Sequence, residues 1–422
     1  MLSIIEHFKI ISSIPHCSKN ADGLMEYITD FAKQRDYIVE VDGVKNILVK
    51  KGSPKLALQS HYDMVCVGKA PDIEIYEDNG WLSAKESSLG ADNGIGIAMM
   101  LSLIDEGKEL EFLFTADEEI GLIGANALDF KLTSNMMLNL DSEDEAEVYI
   151  GCAGGEDIIA TKPYPKLKDN RQAYKISVLG LDGGHSGVDI DKDIPNAIKV
   201  LSSYLRDRKF GLVSLEGGER INSIPVNAVA VIKSDEEFIA NELVSVEKIE
   251  SDEAVLYGAD EVITLLAGFR NGVHEINAIL NLPDRSINLA LVSSNQNGLF
   301  KIEVSARAMN ERSLSIVTEE AIEFFDSYGF DISTQEKYPS WSPDRNNFTN
   351  IVEEAMITVF KESKTVAIHA GLECGVISKR YPQIKFASIG PTICFPHSIR
   401  EKLNIASVDK TMEVIREVLK KI

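Results

Sequence analysis

Closely spaced cysteine pairs are missing from this chain. Its five cysteines, Cys17, Cys66, Cys152, Cys374 and Cys394, include no Cys-x-x-Cys. That argues against a disulfide framework and a structural zinc knuckle, and favours a reducing compartment. Positive charge is also scarce: 43 Lys and Arg face 66 Asp and Glu, a formal net charge of −23. So acidic a surface repels polyanions, which excludes nucleic acid and anionic membranes as natural partners. Otherwise the acidity reads as a solvated face. No apolar run approaches the roughly 20 residues that a membrane span needs. Residues 1–15 carry Glu6 and His7 among apolar residues and no basic leader. They read as an amphipathic helix of a mature domain, not a signal peptide. Together these absences point to the cytoplasm.

What is present is a globular composition, 44% hydrophobic and 26% charged. At 422 residues the chain is too long for one ordinary core, so two domains are expected. Helical periodicity covers 3–11 and 21–35, followed by β-rich runs at 46–50 and 55–59. A helix at 94–106, a strand at 110–114 and a strand at 136–140 come next. Strands alternating with helices indicate a mostly parallel sheet covered on both faces. Functional residues in such sheets collect past the carboxyl ends of the strands, where His61, Glu118, Glu119 and Asp141 fall.

Lys162 to Asn170 is rich in turn formers and charge, and marks a boundary. Beyond it the pattern predicts strands at 173–178, 212–215, 226–232, 262–266, 286–292 and 299–306. Helices are predicted at 194–206, capped by Asp193 with Pro195 in the first turn, and at 317–328. Tyr338 to Pro343 punctuates the chain again, and a helix at 348–361, a strand at 383–389 and a last helix from Ser407 close the first domain. The expected architecture is α/β: a three-layer catalytic domain with a mostly parallel sheet, formed by 1–167 and 341–422, carrying an inserted α+β lid domain at 168–340.

Asp92, within Leu89-Gly-Ala-Asp-Asn-Gly94, organises the rest. A carboxylate among small residues, just before an apolar helix, is oddly placed unless it meets cations. Two metals held close together need a bridge, and a carboxylate's two oxygens suit that role. His61 and Asp63, two apart after a strand, point the same way. One can bind metal while the other orients the ligand imidazole. Glu118-Glu119 gives adjacent carboxylates, one for metal and one as a base on the attacking water. Asp141 and His397 would complete the coordination. Alone, each piece has an ordinary reading: His-x-Asp as a surface pair, Glu-Glu as a helix start, the glycine-rich stretch as a turn. Their joint occurrence favours metal.

Ser60-His-Tyr-Asp-Met64, Leu89 to Gly94, Ala116-Asp-Glu-Glu119, Leu140-Asp141, Gly180 to Gly187 and Gly390 to His397 together resemble the dizinc exopeptidases, most closely the bacterial aminoacylhistidine dipeptidases. The resemblance spans nearly the whole chain. It implies hydrolysis of Xaa-His and related dipeptides by a water activated between two divalent metals, zinc by the family's habit, with manganese or cobalt also suited to the ligands. It assigns His61 and Asp141 to one metal, Glu119 and His397 to the other, Asp92 to the bridge, Glu118 to the base and Asp63 to support of His61. It also implies a cis peptide at Asp92–Asn93. In the lid it implies His185 for the scissile carbonyl oxygen and Asn222 for substrate contact, while Arg307, at a strand end, fits a fork for the terminal carboxylate. Ordinary readings remain beside these: a turn histidine for His185, an interdomain ion pair for Arg307. A homodimer through the lid is a further implication.

His7 and His16 read as structural, His274 as a lid surface residue, and His369 is open between core and substrate pocket. Cys66 and Cys374 read as small buried hydrophobes. Gly90, Ala91 and Gly94 read as letting the backbone approach two cations closely. The chain departs from the family in being short, with the deficit expected in the lid, and in placing Phe395-Pro396 before His397. An N-acyl amino acid deacylase or a tripeptide aminopeptidase shares the same motifs. An inactive metal-binding scaffold is the alternative of another class, and the intact base argues against it.

Overall fold

The structure is a computed structural model and describes residues 2–295 and 297–422. The chain folds as two compact units. One comprises the residues up to Cys152 with Trp341–Ala367 and Leu372–Ile422. The other comprises Ala153–Ser340 and Ile368–Gly371.

The first unit is built on an eight-stranded sheet. Its centre is parallel: Leu56–His61 runs alongside Glu111–Thr115 on one side and Met136–Asn139 on the other, and Met136–Asn139 in turn pairs parallel with Lys385–Ser388. Antiparallel strands extend both sides, including Ile47–Lys50 against Glu111–Thr115. The sheet is therefore mixed, parallel only where the crossover helices return. Every residue of Leu56–His61 is buried, as a strand covered on both faces must be. Alternation shows the two layers directly. The Gln59 side chain meets Glu373 of the helix Glu373–Arg380, and the next one, Ser60, meets Asn93 of the helix Ala91–Asp105. Helices Ile4–Ser12, Asn347–Phe360 and Ile405–Lys421 complete the layers around one apolar cluster.

The second unit carries an eleven-stranded sheet whose strands are joined by antiparallel pairings. Helices Ala197–Leu205, Asp260–Gly268 and Glu311–Ser327 bury their apolar residues in its single core cluster. Its first boundary precedes the turn-rich stretch at 162–170. The strand Gly154–Pro163 lies inside this unit because it is hydrogen-bonded between Leu299–Ala308 and Asp331–Tyr338.

Three local expectations need correction. Residues 262–266 are helical, because a short apolar run carries no decisive period, and Asp260 and Glu261 favour a helix start. The cap of Ala197–Leu205 is Asn196, whose side chain accepts from Ile198 and Lys199 amides at 3.0 and 3.2 Å; Asp193 lies outside the helix. Cys17 and Cys66 form a disulfide, so Cys66 is not a free apolar filler. A bridge depends on tertiary proximity across 49 residues, which spacing does not reveal. Cys374 is free and buried as expected. Among the described residues no helix is long and apolar enough to cross a membrane.

Lys199 supplies a stability test of the second unit. Its ammonium donates to the carbonyls of Leu266, Ala267 and Phe269 at 2.8, 2.8 and 2.6 Å, closing the C-terminal end of Asp260–Gly268. Burial pushes its pKa down to about 8, so it remains a cation at neutral pH. Lys199→Met is expected to cost about 2 kcal/mol, read as a lower urea midpoint at unchanged slope.

Candidate dimetal centre

The parallel centre of the first sheet gathers the site. His61 and Thr115 end neighbouring strands in register, and Asp141 follows the end of the third, Met136–Asn139. The three carboxyl ends open on the same side. Asp92 enters from the N-terminus of Ala91–Asp105, after Gly90 in left-handed conformation at φ 70° and across a cis Asp92–Asn93 peptide. His397 arrives on the loop of a short hairpin formed by Ile393–Cys394 and Lys402–Asn404.

The two oxygens of Asp92 face two different histidines. Oδ1 lies 3.2 Å from His61 Nε2, and Oδ2 lies 3.0 Å from His397 Nε2. Asp141 Oδ1 lies 3.3 Å from His61 Nε2, and Glu119 Oε2 lies 3.0 Å from His397 Nε2. Two triads result, His61–Asp92–Asp141 and Asp92–Glu119–His397, each with ligand atoms within 4.8 Å of one another. Glu118 joins His61 and Glu119 in a third such group.

Asp63 meets His61 through its main chain and the acidic pair through its carboxylate. His61 Nδ1 bonds to the Asp63 main-chain carbonyl at 3.0 Å, while the carboxylate stands 3.6 Å away. That carboxylate accepts from the Glu118 amide at 2.9 Å, the Glu119 amide at 3.4 Å and Ser18 Oγ at 2.6 Å. One residue thus orients the histidine and fixes the backbone of the acidic pair.

Electrostatics test whether cations fit. Burial pushes Glu119 up to about 7, and the neighbouring Asp92 adds to it. Burial also raises Asp141 and, more strongly, Glu118. Burial would raise Asp92 as well, but its bonds to His397 and His61 hold it well below the usual carboxylate range. Glu119 Oε1 is buried without a partner. Crowded carboxylates with an orphaned oxygen and two imidazole nitrogens suit two divalent cations, which would reverse the cost of the crowding.

The other expected residues cluster within the second unit. Gly184–His185 pairs with Ser223–Ile224, beside Asn222, whose carbonyl accepts from the Ser186 amide at 2.9 Å. Amides of Gly187 and Val188 donate to His185 Nδ1 at 3.2 and 3.1 Å. Nδ1 is thus the accepting nitrogen of the ring. Arg307 is buried; it donates to the Tyr338 hydroxyl at 2.6 Å and to Ser186 Oγ at 3.4 Å. His369 belongs to this unit too, bonded to Ser286 Oγ at 2.8 Å through Nε2. Burial first, then the charge of Arg307, pushes it down to about 3.

Residues 57–421 match the family described as Peptidase family M20/M25/M40. The chain belongs to that family. It is therefore a hydrolase, and the resemblance read from its motifs holds. It is 33% identical to the cytosol non-specific dipeptidase of Escherichia coli (strain K12), over 98% of this chain and 96% of the relative. That alignment spans 469 positions against 422 residues here, in keeping with a shortened chain. Among solved structures, the aminoacylhistidine dipeptidase from Vibrio alginolyticus superposes with a TM-score of 0.79 at 29% identity, covering 99% of this chain and 96% of that one. A tripeptidase from Staphylococcus aureus shares the fold at TM-score 0.61 and 16% identity, covering 99% and 97%.

Sequence reasoning missed Gln59, Glu373 and Glu401, and gave the Asn93 side chain no contacts. Asn93 bonds to Ser60, Asp141 and the Leu140 carbonyl, tying two ligand segments together. Glu373, fully buried, accepts from Gln59 and Thr115 beneath His61. No spacing signal marks these residues, because each acts across segments distant in sequence. The glycines near Asp92 are also closely packed against protein. A Cβ at Gly90 would lie 2.8 Å from Met64 Sδ, and one at Gly94 3.1 Å from Phe8. They admit protein neighbours.

Proposed function

We propose that this chain is a metal-dependent dipeptidase of the cytoplasm, acting on Xaa-His and related dipeptides. The observation that carries the reading is the pair of ligand triads sharing Asp92, in a chain whose E. coli relative is a cytosol non-specific dipeptidase. His61 and Asp141 would hold one ion, Glu119 and His397 the other, with Asp92 between. Zinc is our first choice, and manganese or cobalt suit the same ligands. Two such ions would supply Lewis acidity, making water a nucleophile near neutral pH and polarising the scissile carbonyl.

The chain's own residues do the rest. Glu118 takes a proton from the attacking water; as the water oxygen bonds to the carbonyl carbon and the C–N bond breaks, Glu118 passes that proton to the leaving amine. Asp63 holds the Glu118 amide, which keeps the base from drifting. In the second unit, we assign Arg307 to the substrate's terminal carboxylate, for which a guanidinium fork is suited. We assign the Nε2–H of His185 to the developing oxyanion, and Asn222 to the substrate backbone. The Cys17–Cys66 bridge is one feature that a reducing compartment does not explain.

The test compares a β-Ala-His dipeptide, an N-acetyl amino acid and a tripeptide on the purified protein. The dipeptide should exceed the others in kcat/KM by about tenfold or more. Chelation should abolish turnover, and zinc, manganese or cobalt should restore it. Preference for the acetylated substrate would make the chain a deacylase, and preference for the tripeptide an aminopeptidase. No turnover of any of the three with metal bound would favour the inactive scaffold.

A further inference from the structure

The helix that delivers Asp92 begins without a cap of its own. Its N-cap position is Gly90, which has no side chain to accept the first amides. Those amides are satisfied by a residue more than 300 positions away. Glu401 Oε2 accepts from Leu89 N at 2.7 Å and Gly90 N at 3.0 Å. Its Oε1 accepts from Ala91 N at 2.8 Å and Asp92 N at 3.3 Å. Four consecutive backbone donors thus converge on one carboxylate, which is 2% exposed. A helix N-terminus favours an anion there, and charge-assisted bonds to backbone amides are the stronger kind.

The origin of Glu401 matters as much as its bonds. It closes the same hairpin loop that carries His397, four residues earlier, between Ile393–Cys394 and Lys402–Asn404. Lys402–Asn404 is itself anchored to Trp81–Ala84. One loop therefore grips the Asp92 segment twice, at its side chain through His397 Nε2 and at its backbone through Glu401. We propose that Glu401 is a positioning residue that fixes Asp92 for both metals at once, by clamping the four amides of Leu89 to Asp92. Glu401 touches neither ion in this scheme. It sets where the bridging oxygens stand.

This inference rests on the dimetal reading, and the experiment separates the two. Cobalt is titrated into metal-free wild type, Glu401→Gln and Glu401→Ala, followed by visible absorption and calorimetry, with circular dichroism as the folding control. Gln keeps the shape but turns a donor towards two donors, so it should fold while losing the clamp. Both cobalt sites should weaken together by about 10–100-fold in Glu401→Gln, and excess cobalt should restore kcat with KM unchanged. Glu401→Ala should match it if folded; if unfolded, Gln decides. Wild-type affinity at both sites in Glu401→Gln, or weakening of only one, overturns the clamp while leaving the dimetal centre intact. A wild type that binds fewer than two ions overturns the dimetal reading itself.

Discussion

Glu118→Ala is expected to fold, bind two metal ions and lose about 10²–10⁴-fold in kcat on a dipeptide. The reason lies in how the acidic pair is divided. Glu119 points an oxygen at His397, 3.0 Å away, and so belongs to a ligand triad. Glu118 belongs to neither triad around Asp92, but its carboxylate lies within ligand reach of His61 and Glu119. Its amide is pinned by Asp63 at 2.9 Å, so the proposed base is held from its backbone. Removing its carboxylate deletes the proton acceptor and spares every atom of the two triads. Glu118→Gln should behave alike, since an amide cannot take the proton. The check is steady-state kinetics beside metal stoichiometry on the same preparations. Full turnover in Glu118→Ala would remove Glu118 from the mechanism, whereas loss of metal would make it a ligand.

The sequence exposed most of this site because its chemistry sits at strand ends. Leu56–His61, Glu111–Thr115 and Met136–Asn139 are short and apolar, and each runs into a motif segment, so pattern together with the family resemblance pointed to His61, the Glu118–Glu119 pair and Asp141. Asp92 stood out because a carboxylate among small residues has few other uses. Glu401 and Glu373 stayed hidden for the opposite reason. Each is an acidic residue in an unremarkable polar context, and its role exists only once distant segments meet. Residues 262–266 failed for a third reason: Val262, Ile263, Leu265 and Leu266 are all buried, and so short an apolar run fits either period. The early boundary at Cys152 reflects strand pairing of Gly154–Pro163, which composition does not record.

Asp92→Asn and His397→Ala should part company in metal binding. Each oxygen of Asp92 faces a different histidine, at 3.2 and 3.0 Å, so both triads depend on its charge. Asparagine keeps the size but replaces one oxygen with a donor and removes the charge from both sites. Loss of an outer hydrogen-bond partner alone weakens a metal by about 10–100-fold, so losing the shared carboxylate should cost both ions at least about 100-fold. His397 serves one triad only and is more exposed than the rest of the set, its side chain at 37%. His397→Ala should therefore empty one site and leave His61, Asp92 and Asp141 able to hold the other. Calorimetric titration of cobalt into the metal-free proteins reads the difference: two steps in wild type, one in His397→Ala, and none at micromolar ion in Asp92→Asn. Two full-affinity steps in both variants would sink the bridge. A single lost step in Asp92→Asn would place that carboxylate on one ion alone, and the two triads would then have to be redrawn as separate sites.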